Sequence, residues 1–477
     1  MPPPPRYNRA MDSLPDLRRH PLPAGFIERL RQRFADACQT AEAIRAQHGG
    51  SESHFPTVLP DAVVFVRDTK DVVDCVDLCR EGGVALVPFG AGTSLEGHTL
   101  PLAGGISLDL SRMDTVLAVN EADFDCTVQP GIRREALNAH LRDTGLFFPI
   151  DPGANATIGG MAATRASGTN AVRYGTMREA VLGLEVVTPQ GKVVTTGRRA
   201  RKSAAGYDLT RLYIGSEGTL GIITAITLRL HPVPEAVMAA TCPFATLEGA
   251  VDTVVQAFHA GVPMARIELL DAMQVHAVNL RAGLGLPEAP TLFFEFHGSE
   301  TGVAEQVEMV RTLAGANGGG DFHWATRTED RTRLWRARHE AYYAAVGLRP
   351  NAIGWTSDVC VPMSRLAQCI LETREDLDRA SVPATIVGHV GDGNFHAIFS
   401  IDPAAPHELD EVAEINRRMV ARALAMGGTC TGEHGIGIGK QDMLVDELGE
   451  DAVDVMRALK RALDPQNLFN PGKIFRL

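Results

Sequence analysis

Two histidines seven residues apart, His389 and His396, flank a Gly-Asp-Gly turn in the stretch GHVGDGNFH (388–396). A second charged cluster in a glycine setting, TGEHG (431–435), adds Glu433 and His434. Two imidazoles and a carboxylate are donors that a divalent cation accepts, and a spare histidine beside them could move a proton near neutral pH. Spacing alone leaves a second reading open, in which these are ordinary turn and strand-end residues. No zinc-finger spacing matches and no His-Glu-x-x-His occurs.

The surrounding sequence suggests how such residues would be held. Residues 384–387 and 397–401 are apolar and β-rich, so two strands enclosing a tight turn are expected, with both histidines at the mouth of one hairpin. Helical spacing over 411–426 and 452–463 brackets the TGEHG turn. After Pro232 and Pro234, strand-like runs (237–242, 265–270, 291–297) alternate with helical ones (247–259, 272–280, 304–313), the pattern of a sheet covered by helices. A single helix is expected over 327–346, rich in arginine, where Trp335 and Arg338 share a face. Most arginines on such a helix are solvated.

Three glycine-rich stretches precede this region. A helix is expected over 24–47, then strand 62–66, helix 71–80 and strand 84–87, running into PFGAGTSLEG (88–97). That loop approaches a dinucleotide fingerprint, but Leu95 stands where its third glycine belongs and no helix is expected after it, so a Rossmann unit is excluded. Backbone N–H groups could still close around phosphate oxygens there; a plain glycine-rich turn is the other reading. The stretch 147–175 reads as a long loop of small residues, which lets backbone approach an extended ligand. A hairpin over 180–197 and a third glycine cluster feeding a long strand in 215–232 follow. Together the three clusters point to a cofactor held in an extended pose. GIGIGKQ (435–441) is not a phosphate loop, since His434 replaces the first glycine and Gln441 the Ser/Thr.

Composition limits the function classes. The 477 residues suffice for two or three domains, with 45% hydrophobic and 22% charged residues, as in a soluble globular protein. A formal net charge of −12 without long basic runs argues against nucleic acid. No apolar stretch reaches the ~18 residues of a membrane span, and the proline-rich start, expected as an extended arm over 1–23, lacks the apolar core of a secretory signal. The eight cysteines are scattered without a Cys-x-x-Cys pair, which suits free thiols in a reducing, cytoplasmic setting; Cys75 and Cys79 read as buried helix residues, and nothing marks Cys430 as a nucleophile.

Taken together, PFGAGTSLEG, the 147–175 stretch, RKSAAGYDLTRLYIGSEGTLGIIT (201–224), GHVGDGNFH, GTCTGEHGIG (428–437) and LDPQNLFNPGK (463–473) resemble the FAD-linked D-lactate dehydrogenases of the vanillyl-alcohol-oxidase-type flavoprotein superfamily. Glycolate oxidase catalytic subunits and D-2-hydroxyglutarate dehydrogenases belong to the same group. The resemblance implies an α+β architecture: a two-subdomain FAD-binding domain, an α+β cap with an antiparallel sheet, and a C-terminal helical segment returning to the FAD domain. The corresponding boundaries are an arm and helix at 1–55, the FAD domain at 56–233, the substrate or cap domain at 234–415 and the C-terminal segment at 416–477.

By the same resemblance FAD would be held by Pro88, Gly90, Ala91, Gly92, Thr93, Ser94 and Gly97, by Pro152, Gly153, Thr157, Gly160, Ala163, Ser167 and Gly168, and by Gly218, Ile223 and Asn470. Thr93 occupies the position at which many relatives carry a flavin-linking histidine, and His98 falls outside it, so FAD is expected to be non-covalent. His389, His396 and Glu433 would hold one divalent metal, zinc or manganese, and His434 would be the base taking the hydroxyl proton. Arg338 would clamp the substrate carboxylate and Asn394 would hydrogen-bond it.

The implied reaction oxidises a D-2-hydroxy acid, D-lactate first, and passes electrons through flavin to cytochrome c or a quinone. Glycolate oxidase subunit and D-2-hydroxyglutarate dehydrogenase are the alternatives. In place of the lysine that holds a second carboxylate in the 2-hydroxyglutarate enzymes, GWTSDVCVP (354–362) has Trp355, Thr356 and Ser357, so a monocarboxylate is favoured, lactate first, with longer aliphatic 2-hydroxy acids allowed. The expected setting is cytoplasmic, with contact to the inner membrane surface allowed, and the resemblance leaves room for a homodimer.

Overall fold

In the computed structural model, which describes Leu17, residues 21–325 and residues 327–477, the chain folds as two compact units. One, the cofactor unit, comprises the described residues up to Ser167, Gly175–Val233 and Glu433–Leu477; the other, the cap unit, comprises Gly168–Tyr174 and Pro234–Gly432. The arm expected over 1–23 lies, apart from Leu17 and residues 21–23, outside the described residues. The architecture is α+β, as the sequence implies.

In the cofactor unit, Ala62–Phe65, Ile106–Asp109 and Leu86–Phe89 are parallel neighbours. Helix Thr69–Gly82 makes the crossover between the first of these and Leu86–Phe89, capped by the Asp68 side chain at one end and by left-handed Gly83 at the other. Its Val72, Cys75, Val76 and Cys79 are buried, which is the i, i+3, i+4, i+7 face legible in the sequence. A second sheet has five strands: Val116–Asn120, Asp125–Val128, Ile222–Arg229, Val181–Val187 and Val193–Thr195, in that spatial order.

Two expectations fail here for tertiary reasons. The single helix over 24–47 is broken into Phe26–Phe34 and Glu42–His48, because Cys38 and Gln39 between them pair antiparallel with Val64 and Val63. The 147–175 stretch is not one long loop. It contains helix Ile158–Thr164, capped by the Thr157 hydroxyl, and a helical turn at Ala171–Tyr174. Ile158, Met161 and Ala162 had helical spacing, but Gly159 and Gly160 carry low helix propensity and hid it.

The cap unit is built on an eight-stranded antiparallel sheet. Thr291–Gly298, Arg266–Leu270, Ala384–His389 and Asn394–Ile401 are neighbours in that order, and Ile353–Thr356 follows Asn394–Ile401 at the edge. The expected helix over 327–346 is two helices, Thr328–His339 and Ala341–Val346, separated at Glu340, whose carboxylate meets Arg281 and Arg336.

Register decides which side chains share a face. Val387 lies opposite His396 and His389 opposite Asn394, so all four side chains point to one side of the hairpin. Leu269 pairs with Gly388 and Leu270 with Val387 in the next strand, which sets Glu268 across from His389 on that same side. Thr356 pairs with Ile398, two residues past His396, and joins the face. Away from the hairpin mouth the face is apolar, with Leu270, Phe293, Val387 and Ile398 packed against Trp335, Ala337, Ala341 and Ala345.

The hairpin turn depends on Gly393, at φ 80°, where an added Cβ would sit 2.1 Å from the Val361 carbonyl oxygen that faces it. The Val361 N–H also donates to the Gly393 carbonyl, so the turn cannot easily retreat. Gly393→Ala should therefore destabilise the protein by about 2–3 kcal/mol, read as a lowered urea midpoint. A loss below roughly 0.5 kcal/mol would place it among ordinary surface substitutions and show that the turn relaxes freely.

Candidate active site

The face of the cap sheet that carries the two histidines also carries the acceptors that orient them. His389 Nδ1 is 2.8 Å from Glu268 Oε1, and His396 Nδ1 is 3.1 Å from the Ser357 carbonyl oxygen. A carboxylate and a carbonyl only accept, so each Nδ1 must be the donor, and Nε2 is the nitrogen of each ring that carries the lone pair. The rings lie 5.5 Å apart at 86°. Metal-binding histidines are usually oriented in this way, with the second nitrogen fixed by a carboxylate or a carbonyl. The donor set therefore fits a divalent cation.

Glu268 was not legible as a site residue. It is 1% exposed, and its other oxygen takes a hydrogen bond from Arg338 Nη2. Arg338 is thus not an open clamp: one end of its guanidinium is spent on Glu268, while its buried Nε has no hydrogen-bond partner. A signal for Glu268 existed, since a lone acid inside the run AR-I-E-LL breaks an otherwise buried strand, but nothing in the sequence tied it to His389.

Asn394 needs a correction as well. Its side-chain nitrogen donates to Asp358 Oδ1 at 2.7 Å and to the Val359 carbonyl at 2.8 Å, so both protons are used. It cannot donate to a substrate carboxylate as expected; only its oxygen remains to accept. Asp358 is fully buried and also takes the Thr431 hydroxyl at 2.7 Å. Thr431 and Gly432 thereby end the cap unit beside Asn394, and the next peptide bond leads to Glu433.

Glu433 and His434 belong to the cofactor unit, whose framework anchors the residues that follow them. The Ile436 and Gly437 N–H groups donate to Glu217 at 2.8 and 2.9 Å, and the Ile438 N–H to the Glu96 carbonyl at 2.8 Å. Burial acts to raise the Glu217 carboxyl, but His98 beside it and the two N–H donors prevail and hold it below its usual range. Glu217 sits at φ 53°, a left-handed conformation rarely adopted outside glycine and maintained here by these bonds. Asn470 donates to the His98 and Glu217 carbonyls, tying the C-terminal segment to the same loops.

The glycine stretches of the cofactor unit converge. A Cβ on Gly90 would lie 2.3 Å from Thr157 Oγ1, and one on Gly218 would lie 2.4 Å from the Pro88 ring. Close loop-to-loop packing thus accounts for Gly90 and Gly218 whether or not they also touch a ligand. In the same cradle Ser94 Oγ is buried with no hydrogen-bond partner, an unpaired polar atom suited to a phosphate oxygen. Ala91, Gly92 and Thr93 flank it partly exposed, Gly97 is buried, and Pro152, Gly153, Gly160, Ala163 and Ser167 retain exposed surface. Ile223 packs into the apolar core, and Gly168 belongs to the cap unit. All eight cysteines are free, and burial pushes the Cys369 thiol up to about 11, so thiolate chemistry is not available there.

Residues 60–197 match the FAD binding domain, and residues 233–474 match the C-terminal domain of FAD linked oxidases. The chain belongs to the FAD-linked oxidase family. It is 51% identical to the probable mitochondrial D-lactate dehydrogenase of Danio rerio, covering 93% of this chain and 90% of that protein. It is 46% identical to the mitochondrial D-lactate dehydrogenase [cytochrome] of Arabidopsis thaliana, covering 95% and 80%. Among solved structures, 4-ethylphenol oxidase from Gulosibacter chungangensis, in its isoeugenol complex, shares the fold at a TM-score of 0.78 and 18% identity, covering 97% of this chain and 99% of that one.

The cradle can be tested at Gly90. Gly90→Ala forces the 88–97 loop away from Thr157, so the purified protein should hold less FAD, seen as a lower 450 nm to 280 nm absorbance ratio with unchanged far-UV circular dichroism. Full FAD content would mean that this approach is not what shapes the cradle.

Proposed function

We propose that the protein oxidises D-2-hydroxy acids, D-lactate to pyruvate first, and passes the electrons to a cytochrome or a quinone. The observation that carries this reading is the pair of imidazoles, His389 and His396, each with Nδ1 committed to an acceptor, on the buried face that also holds Arg338. The names of the relatives, D-lactate dehydrogenases at 51% and 46% identity, support the choice of acid, and the label of the second supports a cytochrome as acceptor.

In this reading FAD sits non-covalently on Pro88 to Gly97, Thr157 to Gly168 and Gly218; His98 is buried with its Nε2 3.3 Å from Glu217 Oε1. FAD supplies the acceptor for the hydride from C2. Glu433 joins His389 and His396 as the third ligand of one zinc or manganese ion, which supplies Lewis acidity toward the hydroxyl and carboxylate oxygens. His434 accepts the hydroxyl proton as C2 is oxidised. Adjacent residues of a chain point in different directions, which lets Glu433 ligate and His434 act as the base. Arg338 offers its unpaired Nε edge to the carboxylate, and Asn394, left able only to accept, makes no hydrogen bond to that group.

Thr356, on the same face as His396, has a buried hydroxyl without a partner and no lysine beside it. A second carboxylate there would be buried without a cation, at a cost of several kcal/mol. Lactate and longer aliphatic 2-hydroxy monocarboxylates are therefore the favoured substrates over dicarboxylates. No helix among the described residues is long and apolar enough to cross a membrane. We place the chain in a reducing compartment, the cytoplasm, at most peripheral to a membrane; its free thiols agree with this. A homodimer is the assembly we propose.

Anaerobic mixing with D-lactate should bleach the flavin, L-lactate should not, and glycolate and D-2-hydroxyglutarate should react more slowly; acid precipitation should release the flavin. Chelation should abolish bleaching while FAD stays bound, and Mn²⁺ or Zn²⁺ should restore it. Faster bleaching by D-2-hydroxyglutarate would overturn the pocket argument. His434→Ala should slow flavin reduction by about 10²–10⁴-fold with unchanged metal content; a loss under tenfold would assign the base elsewhere.

A further inference from the structure

We infer that Glu268 is a positioning residue that sets both the metal ligand His389 and the substrate anchor Arg338, so that one carboxylate couples metal affinity to recognition of the acid. The inference rests on the metal reading given above and adds a residue to it.

Glu268 lies in strand Arg266–Leu270, directly across from His389 in the sheet register. Its two oxygens are divided: Oε1 accepts from His389 Nδ1 at 2.8 Å, and Oε2 accepts from Arg338 Nη2. Arg338 is brought to it from the other direction, by helix Thr328–His339, in which Trp335 one turn earlier lies under the Arg266 guanidinium at 4.6 Å. Arg266 and Glu268 are two residues apart on one strand and face the same way, so strand and helix are locked by two cation contacts in series. The His389 imidazole, the Glu268 carboxylate and the Arg338 guanidinium are all about nine-tenths or more buried.

This geometry has two consequences. A negative oxygen on Nδ1 fixes the ring orientation and tautomer and makes Nε2 a better donor to a cation. The other oxygen holds one edge of the guanidinium, which leaves the buried, unpartnered Nε side as the edge that can meet an anionic oxygen. Were Glu268 only a counter-charge for a buried arginine, a single bond to Arg338 would suffice, and the second oxygen would not be spent on a metal-type imidazole.

The test uses the full-length, FAD-loaded protein, stripped by chelation and titrated with Mn²⁺ and separately with Zn²⁺ under equilibrium dialysis. Wild type should bind one ion per chain. Glu268→Gln keeps an oxygen for His389 but loses the charge and cannot accept from Arg338. Metal affinity should fall about 10–100-fold, and the KM for D-lactate should rise more than kcat falls once metal is saturating. Because the single variant leaves a buried guanidinium unpaired, Glu268→Gln/Arg338→Met provides a second, neutral pair; it should show the same loss of metal affinity. Arg338→Met alone should raise KM while changing metal affinity less than threefold. If wild type binds metal and both Glu268 variants bind it equally well, with only the melting temperature lowered, Glu268 is a counter-charge and the inference fails alone. If wild type binds neither ion, the metal reading fails and takes this inference with it.

Discussion

The cap unit depends on a carboxylate placed between an imidazole and a guanidinium in a site from which water is excluded. A surface ion pair contributes about 0–1 kcal/mol, whereas removing one partner of a buried pair costs about 3–5 kcal/mol because the other charge is left uncompensated. Glu268 therefore constrains everything that meets it. Its strand cannot slip by one residue against Ala384–His389 without turning the carboxylate to the opposite face and bringing Ile267 or Leu269 under His389. Helix Thr328–His339 cannot rotate without leaving Arg338 buried and unpaired. The histidines inherit their orientation from this fixed register and from the acceptors it brings to each Nδ1.

The cofactor unit solves a different problem, which is to hold several glycine-rich loops in one arrangement. Glycine supplies close approach there, as at Gly90 against Thr157, but close approach by itself does not rigidify a loop. The rigidity comes from polar groups that arrive from elsewhere in the chain. Glu217 adopts a left-handed conformation and collects two N–H groups from Ile436 and Gly437, and Asn470 bridges the carbonyls of His98 and Glu217. The segment that carries Glu433 and His434 is thereby fastened to the same loops that form the cofactor cradle. A polar network of this kind, fully buried, is costly if any member is missing and specific when all are present.

Much of this was legible in the residues. Period-2 and period-3.6 patterns located the hairpin, the crossover helix and the alternating strands and helices of the cap, because burial of one face imposes those periods on the sequence. The break in the first helix was not legible, since Cys38 and Gln39 form a strand only by pairing with residues some 25 positions on. Helix Ile158–Thr164 was concealed by its own glycines. Among the candidate residues, His389, His396, Glu433 and His434 stood out because their residue types have few structural uses in glycine turns. Glu268 and Asp358 did not stand out, although Glu268 orients His389 and Asp358 holds Asn394 and Thr431, because a buried acid becomes informative only when its partners are known.

By itself, the sequence determined the family, and it marked the glycine-rich stretches and the side chains whose types suit binding a cation or moving a proton, since these depend on residue type and local spacing. Tertiary structure alone decided which nitrogen of each histidine is committed, which edge of Arg338 is spent, and that Asn394 can only accept. Those outcomes depend on donors and acceptors that lie 35 to 121 residues away in the chain and meet only through sheet register and the packing of a helix on the sheet. Hydrogen-bond direction is settled by the partner, and the partner is a property of the fold.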